Sequence, residues 1–430
     1  MCSGLDYQVL FCRRGYTPHY VEHVIDPLDG REKLVMADPH TRRAALVYDM
    51  ASGHLEWEFR APGSGVPNPH TARMLLTDVE GFGSAGDVYM CDRDNNIIVV
   101  ERPSGDVKFR GEVPWDAGLV HEAFLTPDGD ALIITDYFKN VVAKLSLPDL
   151  KPIWMRKDIP KPSKVSAISG MVEPWHNPSF GGQYLVCLNE TLGAVLELRD
   201  EDGSTAWSCP KPDGTGAWLL APHSAFRLGR IECKGNLTVV GSEAGGGIMA
   251  LDYLGRPAWA ITGGVAFRDD EGLHYTVGPE GIGEITHVFP TLDGRIGFCS
   301  WLGFNCSVVG ALKRLPDKQE AHFILAHELE ISDGVAYLDP PVKAEGWDEV
   351  LVIVECVGPE PVKWRVEGIG RPLLDLRSTP PPSVPITSDI TRPGMASSAC
   401  IREPYKWLRI AIEPMGARTR VNVHVLLKRG

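Results

Sequence analysis

The chain contains a unit of roughly 40 to 60 residues that recurs six times before residue 333. Each copy begins with a histidine and an apolar stretch, followed by a glycine-containing turn. Two short apolar runs come next, and then a last run that often carries tryptophan. The copy HEAFLTPDGDALIITDYFKNVVAKLSLPDLKPIW, which starts at His121, shows this order. The pattern is typical of four short strands joined by tight turns. One such unit cannot bury both faces alone, so the copies must pack against one another.

Six units of four strands predict an all-β fold, a six-bladed β-propeller in which each unit is a blade beside a central channel. The repeat stops near Ser332, and the later residues contain further strand-like runs such as WDEVLVIVECV. We therefore predict a propeller over residues 1–332 and a small C-terminal β-sandwich domain over residues 333–430. Tryptophans at one repeat position of the fourth strand are expected to pack between blades; they are Trp57, Trp154, Trp207 and Trp259.

Two stretches interrupt the repeat, Arg156 to Gly170 and Thr262 to Gly283. Loops of more than about 12–15 residues in a compact domain are often lids or binding loops. Both stretches join the fourth strand of one unit to the first strand of the next, which places them near the face where the unit histidines emerge. We expect the second stretch, which contains His274, to cover the mouth of the channel.

Composition narrows the class of partner. The net charge of −13 argues against nucleic acid or an anionic membrane surface as the main partner, and no run of about 18 apolar residues exists to span a membrane. The first residues, Met1 to Arg14, lack the pattern of a secretory signal. None of the ten cysteines forms a CxxC pair, so we expect reduced cysteines and a cytoplasmic protein. The expected partners are a small-molecule substrate and, through the C-terminal domain, a second copy of the chain.

The histidine that starts each unit is the strongest functional signal. In a propeller the first strand of each blade is innermost, so a residue at its start lies at one mouth of the channel. Crowded imidazoles repel one another when protonated, so their pKa values should fall and leave neutral nitrogen ligands. Such ligands suit Fe, Zn, Cu or Ni. The predicted metal ligands are His23, His70, His121, His176, His223 and His287.

Polar residues at the ends of the second strands should lie beside these histidines, because the second strand of a hairpin runs antiparallel to the first. A carboxylate next to a histidine fixes its tautomer and raises its basicity. Such residues also cap tight turns routinely, which is the alternative interpretation. The predicted catalytic residues are His121, His223, Asp92 and Asp136. The predicted substrate-binding residues are Arg93, Tyr137, Lys139, Glu243, His274 and Trp301.

The unit His-x-A/S-x-x-L…DG-x-L-I-x-T-D…V-x-x-L-D…G-x-x-x-W resembles the blades of arylsulfotransferase-like six-bladed propellers over residues 20 to 330. The resemblance implies metal-free transfer of a sulfuryl group through channel histidines, at positions that match His121, His176, His223 and His287. The residues themselves favour an enzyme with metal-dependent lyase, oxygenase, isomerase or hydrolase chemistry on a small aromatic or anionic molecule. Group transfer through a histidine, and a non-enzymatic scaffold that binds proteins, are the alternatives.

Overall fold

The computed structural model confirms the all-β class, since the described residues form strands, turns and irregular segments without an α-helix. None of these residues therefore belongs to a helix with the length and hydropathy to cross a membrane. The described residues are 7–168, 181–211, 215–228, 237–243, 247–251, 255, 257–261, 265–269, 272–276, 283–301, 307–313, 319–332, 334–344, 348–369, 383–402 and 407–429.

Six antiparallel sheets of four strands follow one another along the chain, after a first strand β1 (Tyr7–Phe11) that joins the last of them. Sheet 1 contains β2 (Tyr20–Ile25), β3 (Glu32–Asp38), β4 (Ala44–Asp49) and β5 (His54–Arg60). Sheet 2 contains β6 (Ala72–Met74), β7 (Val88–Cys91), β8 (Ile97–Val100) and β9 (Val107–Gly111). Sheet 3 contains β10 (Val120–Leu125), β11 (Ala131–Asp136), β12 (Val141–Ser146) and β13 (Pro152–Arg156).

The second half of this series carries two additional short elements. Sheet 4 contains β14 (Pro162–Ala167), β15 (Tyr184–Leu188), β16 (Ala194–Leu198) and β17 (Thr205–Cys209), and β18 (Thr215–Trp218) follows it. Sheet 5 contains β19 (Pro222–Leu228), β20 (Leu237–Ser242), β21 (Gly247–Leu251) and β22 (Pro257–Ile261). A hairpin of β23 (Val265–Asp269) and β24 (Gly272–Thr276) precedes sheet 6, which contains β25 (Glu284–Pro290), β26 (Ile296–Trp301), β27 (Ser307–Leu312) and β1.

Local chemistry explains the repeated hairpins. The PDG turn between β10 and β11 places Gly129 at a φ of 77°, a conformation that glycine adopts without steric cost. The second strand of each sheet is apolar on both faces, as the fully buried β11 and β20 show, because it is covered on both sides. The four repeat tryptophans lie in the fourth strands, each beside the irregularity in its pairing with the third strand. The predicted position of these tryptophans on the fourth strand is confirmed.

The six sheets contact one another in a cyclic order. Strand β2 contacts β6, β10 contacts β14, β14 contacts β19, β19 contacts β25, and β25 contacts β2, while sheets 2 and 3 meet through β7 and β10. Buried hydrophobic clusters join every successive pair of sheets, including sheet 6 with sheet 1. The starts of the first strands are therefore brought to one place.

The remaining strands form two further sheets. They are β28 (Gln319–Ile331), β29 (Ala336–Lys343), β30 (Glu349–Cys356), β31 (Val362–Ile369), β32 (Ser383–Thr391), β33 (Ala396–Ile401), β34 (Trp407–Pro414) and β35 (Thr419–Arg429). One sheet has the order β18-β28-β35-β30-β33 and the other β29-β34-β31-β32. Both share one buried cluster that also includes residues of sheets 4 and 5. Strand β28 precedes residue 333 and pairs with the last strand, β35, along most of its length.

The two interruptions of the repeat have strand structure. The expectation of a loop over Arg156 to Gly170 is wrong, because residues 162–167 form β14, the first strand of sheet 4. This strand, PSKVSA, has few large apolar side chains, and its burial comes from the neighbouring sheets. In the second interruption, β23 and β24 pair as a two-stranded hairpin.

Candidate metal centre

Irregular pairing at the start of the first strands presents histidines to a common point. His121 lies at a β-bulge of β10, between the paired residues Val120 and Glu122. His223 lies at a bulge of β19, between Pro222 and Ser224. A bulge leaves one residue unpaired and re-aims its side chain, which is why bulges occur beside functional sites.

Two more histidines come from the residues that lead into sheets 1 and 2. His19 directly precedes β2, and its backbone N–H donates to the carbonyl of Ala37 at 2.8 Å. His70 lies two residues before β6. We call His19, His70, His121 and His223 the histidine cluster; all four are buried, with exposed fractions of 2–6%.

The rings of the histidine cluster lie in mutual contact. The ring centroids of His19 and His223 are 4.6 Å apart, those of His70 and His121 4.8 Å, and those of His121 and His223 4.9 Å. One ring nitrogen from each of His19, His121 and His223 lies within 4.8 Å of the others. These three buried histidines form a group that can hold a metal ion.

Hydrogen bonds fix the tautomers of two members. His223 Nδ1 bonds to the carbonyl oxygen of Thr286, which can only accept, so Nδ1 carries the hydrogen and Nε2 carries the lone pair. His70 Nδ1 lies 3.0 Å from Asn68 Oδ1, and Asn68 Nδ2 donates to Asn95 Oδ1 at 3.0 Å, which leaves Oδ1 as the acceptor. A hydrogen bond of this kind on the second nitrogen orients a metal-binding imidazole.

The other two members keep a nitrogen without a partner. Nδ1 of His19 and Nδ1 of His121 are buried and have no hydrogen-bond partner among the described residues. A buried polar atom without a partner costs free energy unless something else satisfies it. The cluster therefore offers more ligand nitrogens than the protein itself uses.

Burial keeps the cluster neutral. It lowers the pKa of His19, His70 and His121 well below the usual value, and neighbouring histidines and Lys164 lower it further. Burial also lowers the pKa of His223 to about 4. The expected fall in pKa is confirmed in direction, with burial rather than mutual repulsion as its largest cause. All four imidazoles are neutral near pH 7, which is the form that binds a metal.

A cavity of about 200 Å³ opens above the histidine cluster. Glu243 Oε1 lies 3.6 Å from Nε2 of both His19 and His223. Its other oxygen accepts from Asn189 Nδ2 at 2.8 Å. Burial raises the pKa of Tyr137 to about 12, so its hydroxyl stays protonated and donates to Asn189 Oδ1 at 3.2 Å. The residues that line the cavity are His19, His40, His70, Leu119, His121, Tyr137, Asn189, His223, Glu243 and Trp301.

Beneath the cluster lies a buried cation from β14. Lys164 is 1% exposed, and its Nζ donates to the carbonyl oxygen of His70 and to Thr71 Oγ1, the latter at 3.0 Å. Thr71 in turn donates to Glu122 Oε2 at 3.0 Å. Sheet 4 therefore contributes an ammonium group where four other sheets contribute an imidazole.

Lys164 should make stability rise with pH in the alkaline range. Burial lowers its pKa to about 8 from the ordinary 10.5. Between these values the unfolded chain binds a proton that the folded metal-free protein does not, so stability increases as pH rises through this window, by on the order of 3 kcal/mol. We expect Lys164→Met to remove this increase in urea unfolding curves recorded across the window. The exposed Lys363→Met is the control, and an unchanged pH dependence in Lys164→Met would contradict the assignment.

The structure brings some of the predicted metal ligands together and leaves others apart. His70, His121 and His223 belong to the cluster, and His176 lies outside the described residues. His23 pairs with Leu34 in β2, and its side chain, which is 6% exposed, bonds away from the cluster. Its Nε2 lies 3.2 Å from Glu32 Oε2, and its Nδ1 accepts from the backbone N–H of Leu292 at 3.3 Å. His19, four residues earlier, stands in its place.

His287 is buried but does not line the cavity. The irregularity of β25 falls at Thr286, so His287 is one residue too late to point at the cluster. Its ring packs instead against Tyr20 and Phe289, at centroid distances of 4.4 and 5.8 Å.

The predicted acid–base carboxylates serve turns in this structure. Asp136 accepts from the backbone N–H groups of Gly118 and Leu119 and from Trp115 Nε1. Asp92 accepts from the turn that follows β7 and pairs with Arg110. Both carboxylates are fully buried, and neither lines the cavity.

The predicted substrate-binding residues also divide. Tyr137, Glu243 and Trp301 line the cavity. Arg93 donates to the carbonyl of Ser64, and Lys139 pairs with Asp116 at 2.9 Å, both outside the lining. The backbone of His274 lies in β24, and its side chain lies outside the described residues.

A sequence signal for His19 exists. The cluster members His19, His70 and His223 each follow a proline and precede Tyr, Thr or Ser. The chain has one more Pro-His dipeptide, whose histidine, His40, also lines the cavity, whereas His121 follows a valine. Lys164 carries no comparable signal.

Neither the known protein-family models nor the curated proteins include a significant match to this chain.

Proposed function

We propose that the six four-stranded sheets are the blades of a β-propeller and that the cavity is one mouth of its central channel. The cyclic contacts of the first strands and the buried clusters between all successive sheets support this arrangement. We also propose that the two C-terminal sheets, which share a core, are the β-sandwich expected over residues 333–430. Strand β28, which pairs with β35, extends that sandwich toward the N-terminus.

We propose that the protein is a metal-dependent enzyme that acts on a small molecule in this cavity. The observation that carries the proposal is the group of three buried, neutral histidines, His19, His121 and His223, whose ring nitrogens converge at the cavity floor. Three imidazoles suit Fe, Zn, Cu or Ni, and they leave coordination positions open for a substrate. His70, beside His121, is available as a fourth ligand.

The chain provides further groups for such chemistry. A metal ion at this position would act as a Lewis acid toward an oxygen atom of the substrate. Glu243 lies within reach of the same point, and Asn189 holds its carboxylate in position. Glu243 is therefore the acid–base candidate, which suits lyase, isomerase or oxygenase reactions.

Metal content tests the proposal. Untagged protein should contain about one equivalent of Fe, Zn, Cu or Ni by elemental mass spectrometry, or acquire it on incubation with the ion. The double variant His121→Ala, His223→Ala should lose it, with affinity reduced by at least about 100-fold. His23→Ala is the matched control and should keep the metal, because the His23 ring bonds to Glu32 and Leu292 and does not line the cavity. Absence of metal after incubation with every ion, or full retention in the double variant, would refute the proposal.

Metal-free group transfer is the second candidate, and the geometry of His223 favours it. The bond from Nδ1 to the Thr286 carbonyl leaves Nε2 as a nucleophile that lines the cavity. Nε2 would attack the sulfur of an aryl sulfate, and the bond from sulfur to the aryl oxygen would break. Intact mass after incubation with an aryl sulfate should then show a sulfuryl adduct that His223→Ala lacks. An unmodified mass in protein that contains metal would exclude group transfer through His223 and leave the metal-dependent enzyme as the remaining candidate.

A further inference from the structure

The walls of the cavity are flat and aromatic. The ring of Trp301 stacks on His40 with an interplanar angle of 14° and a centroid distance of 5.4 Å. The ring of Tyr137 stacks on His121 at 28° and 5.7 Å. Leu119, which is 6% exposed, adds an aliphatic surface. Such walls favour a planar aromatic ligand, because aromatic pairs gain from offset stacking as well as from area buried.

Positive charge lies below the floor of the cavity, and one negative charge lies in its lining. The floor is electropositive, since Lys164 lies beneath the neutral histidine cluster and a bound metal would add two positive charges. Glu243 is the one carboxylate among the lining residues, and no lysine or arginine lines the cavity within the described part of the chain. The floor repels a cationic ligand, and Glu243 favours a ligand that presents a hydrogen-bond donor to its carboxylate.

A hydroxyl group on an aromatic ring matches this arrangement. Its oxygen lone pairs can face the floor while its hydrogen faces the carboxylate. Glu243 Oε1 lies 3.6 Å from Nε2 of both His19 and His223, so one hydroxyl can reach the metal position and Glu243 together. Asn189 already bonds the other oxygen, which leaves Oε1 as the acceptor for a ligand.

We propose that the cavity binds a small, uncharged phenol, with its ring against Tyr137 and Trp301, its oxygen toward the metal and its hydroxyl hydrogen bonded to Glu243. This inference rests on the proposed metal-dependent function and specifies its substrate class. Binding forms no covalent bond with the protein, and the hydroxyl proton lies between the phenol oxygen and Glu243. The volume of about 200 Å³ suits a ligand with one or two fused rings.

Calorimetric titration with a matched pair of probes tests the proposal. The probes are 4-cyanophenol and its methyl ether, which has the same ring but no donor hydrogen, and the protein is loaded with redox-silent zinc. We expect the phenol to bind at least about tenfold more tightly than the ether, since a hydrogen bond to a charged group is involved. Glu243→Gln should remove most of this preference, whereas Glu190→Gln, a nearby carboxylate outside the lining, should keep it.

A second variant tests whether the aromatic walls contribute to ligand affinity. Tyr137→Leu should weaken the phenol and the ether about equally, because both use the ring contact. Zinc content is measured on every sample, so a lost metal site and a wrong ligand class give different results. Equal affinity for phenol and ether, or an unchanged preference in Glu243→Gln, would overturn the inference. One equivalent of zinc without binding of either probe would overturn it and leave the metal-dependent enzyme standing.

Discussion

The metal-free protein should lose several kcal/mol of stability as the pH falls from about 6.5 to about 4. Burial lowers the pKa of every member of the histidine cluster, and that of His287, below the ordinary value of 6.5. In this window the unfolded chain binds protons that the folded protein does not. The stabilisation is therefore present above about pH 6.5 and lost on acidification. His223 alone, with a pKa of about 4, contributes on the order of 3 kcal/mol.

Urea unfolding curves followed by circular dichroism across this window measure the effect. His121→Phe should reduce the slope of stability against pH by up to about 1.4 kcal/mol per pH unit, the contribution of one proton. His54→Gln changes an exposed histidine at the start of β5 and should leave the slope unchanged. Saturating zinc should move the acid transition to lower pH, because the metal and the proton compete for the same nitrogens. A stability that is flat over this range would show that the cluster is solvated.

Arg73→Met should destabilise the protein by about 3–5 kcal/mol, the usual cost of removing one partner from a buried ionic network. Arg73 Nε donates to Glu122 Oε1 at 3.0 Å, and Nη1 lies 3.3 Å from Glu22 Oε2. Its guanidinium also lies over the rings of Tyr20 and Phe124, at 4.8 and 4.7 Å. Methionine would fill the space but leave the fully buried Glu122 and the partly buried Glu22 without their guanidinium partner.

The matched control is Arg402→Met, which removes an exposed pair with Glu349 at 2.9 Å. That change should cost no more than about 1 kcal/mol. Equilibrium unfolding in urea separates the two outcomes. An equal, small effect in both variants would mean that water reaches Arg73 and screens its charges.

Local patterns account for what could be predicted from the sequence. The PDG and LDG turns and the short apolar runs depend on neighbouring residues alone, and they indicated the four-stranded sheets. His70, His121 and His223 were predicted because they start their units. His19 was missed because His23 lies at a similar distance from its glycine turn, and only the bulges and strand ends decide which side chain points inward.

Other parts of the site depend on contacts between sheets. The hydrogen bond from His223 to the Thr286 carbonyl joins sheet 5 to sheet 6. Every residue has a backbone carbonyl, so the sequence does not indicate which one accepts this bond. Lys164 comes from a strand whose sequence, PSKVSA, lacks a hydrophobic pattern of its own. Arg73 and Glu122 lie on neighbouring sheets, so local sequence patterns do not indicate their ion pair.

The pairing of β1 with β27 has a consequence for the order of events during synthesis. The strand that completes sheet 6 leaves the ribosome before the other strands of the six sheets, and its partner, Ser307–Leu312, follows about three hundred residues later. His19 enters the cluster from the same early segment, and His223 is oriented by a carbonyl of sheet 6. A nascent chain therefore cannot assemble the complete centre until sheet 6 has emerged. Under the proposed function, metal binding would therefore come late, after β1 has paired with β27 and closed the series of sheets.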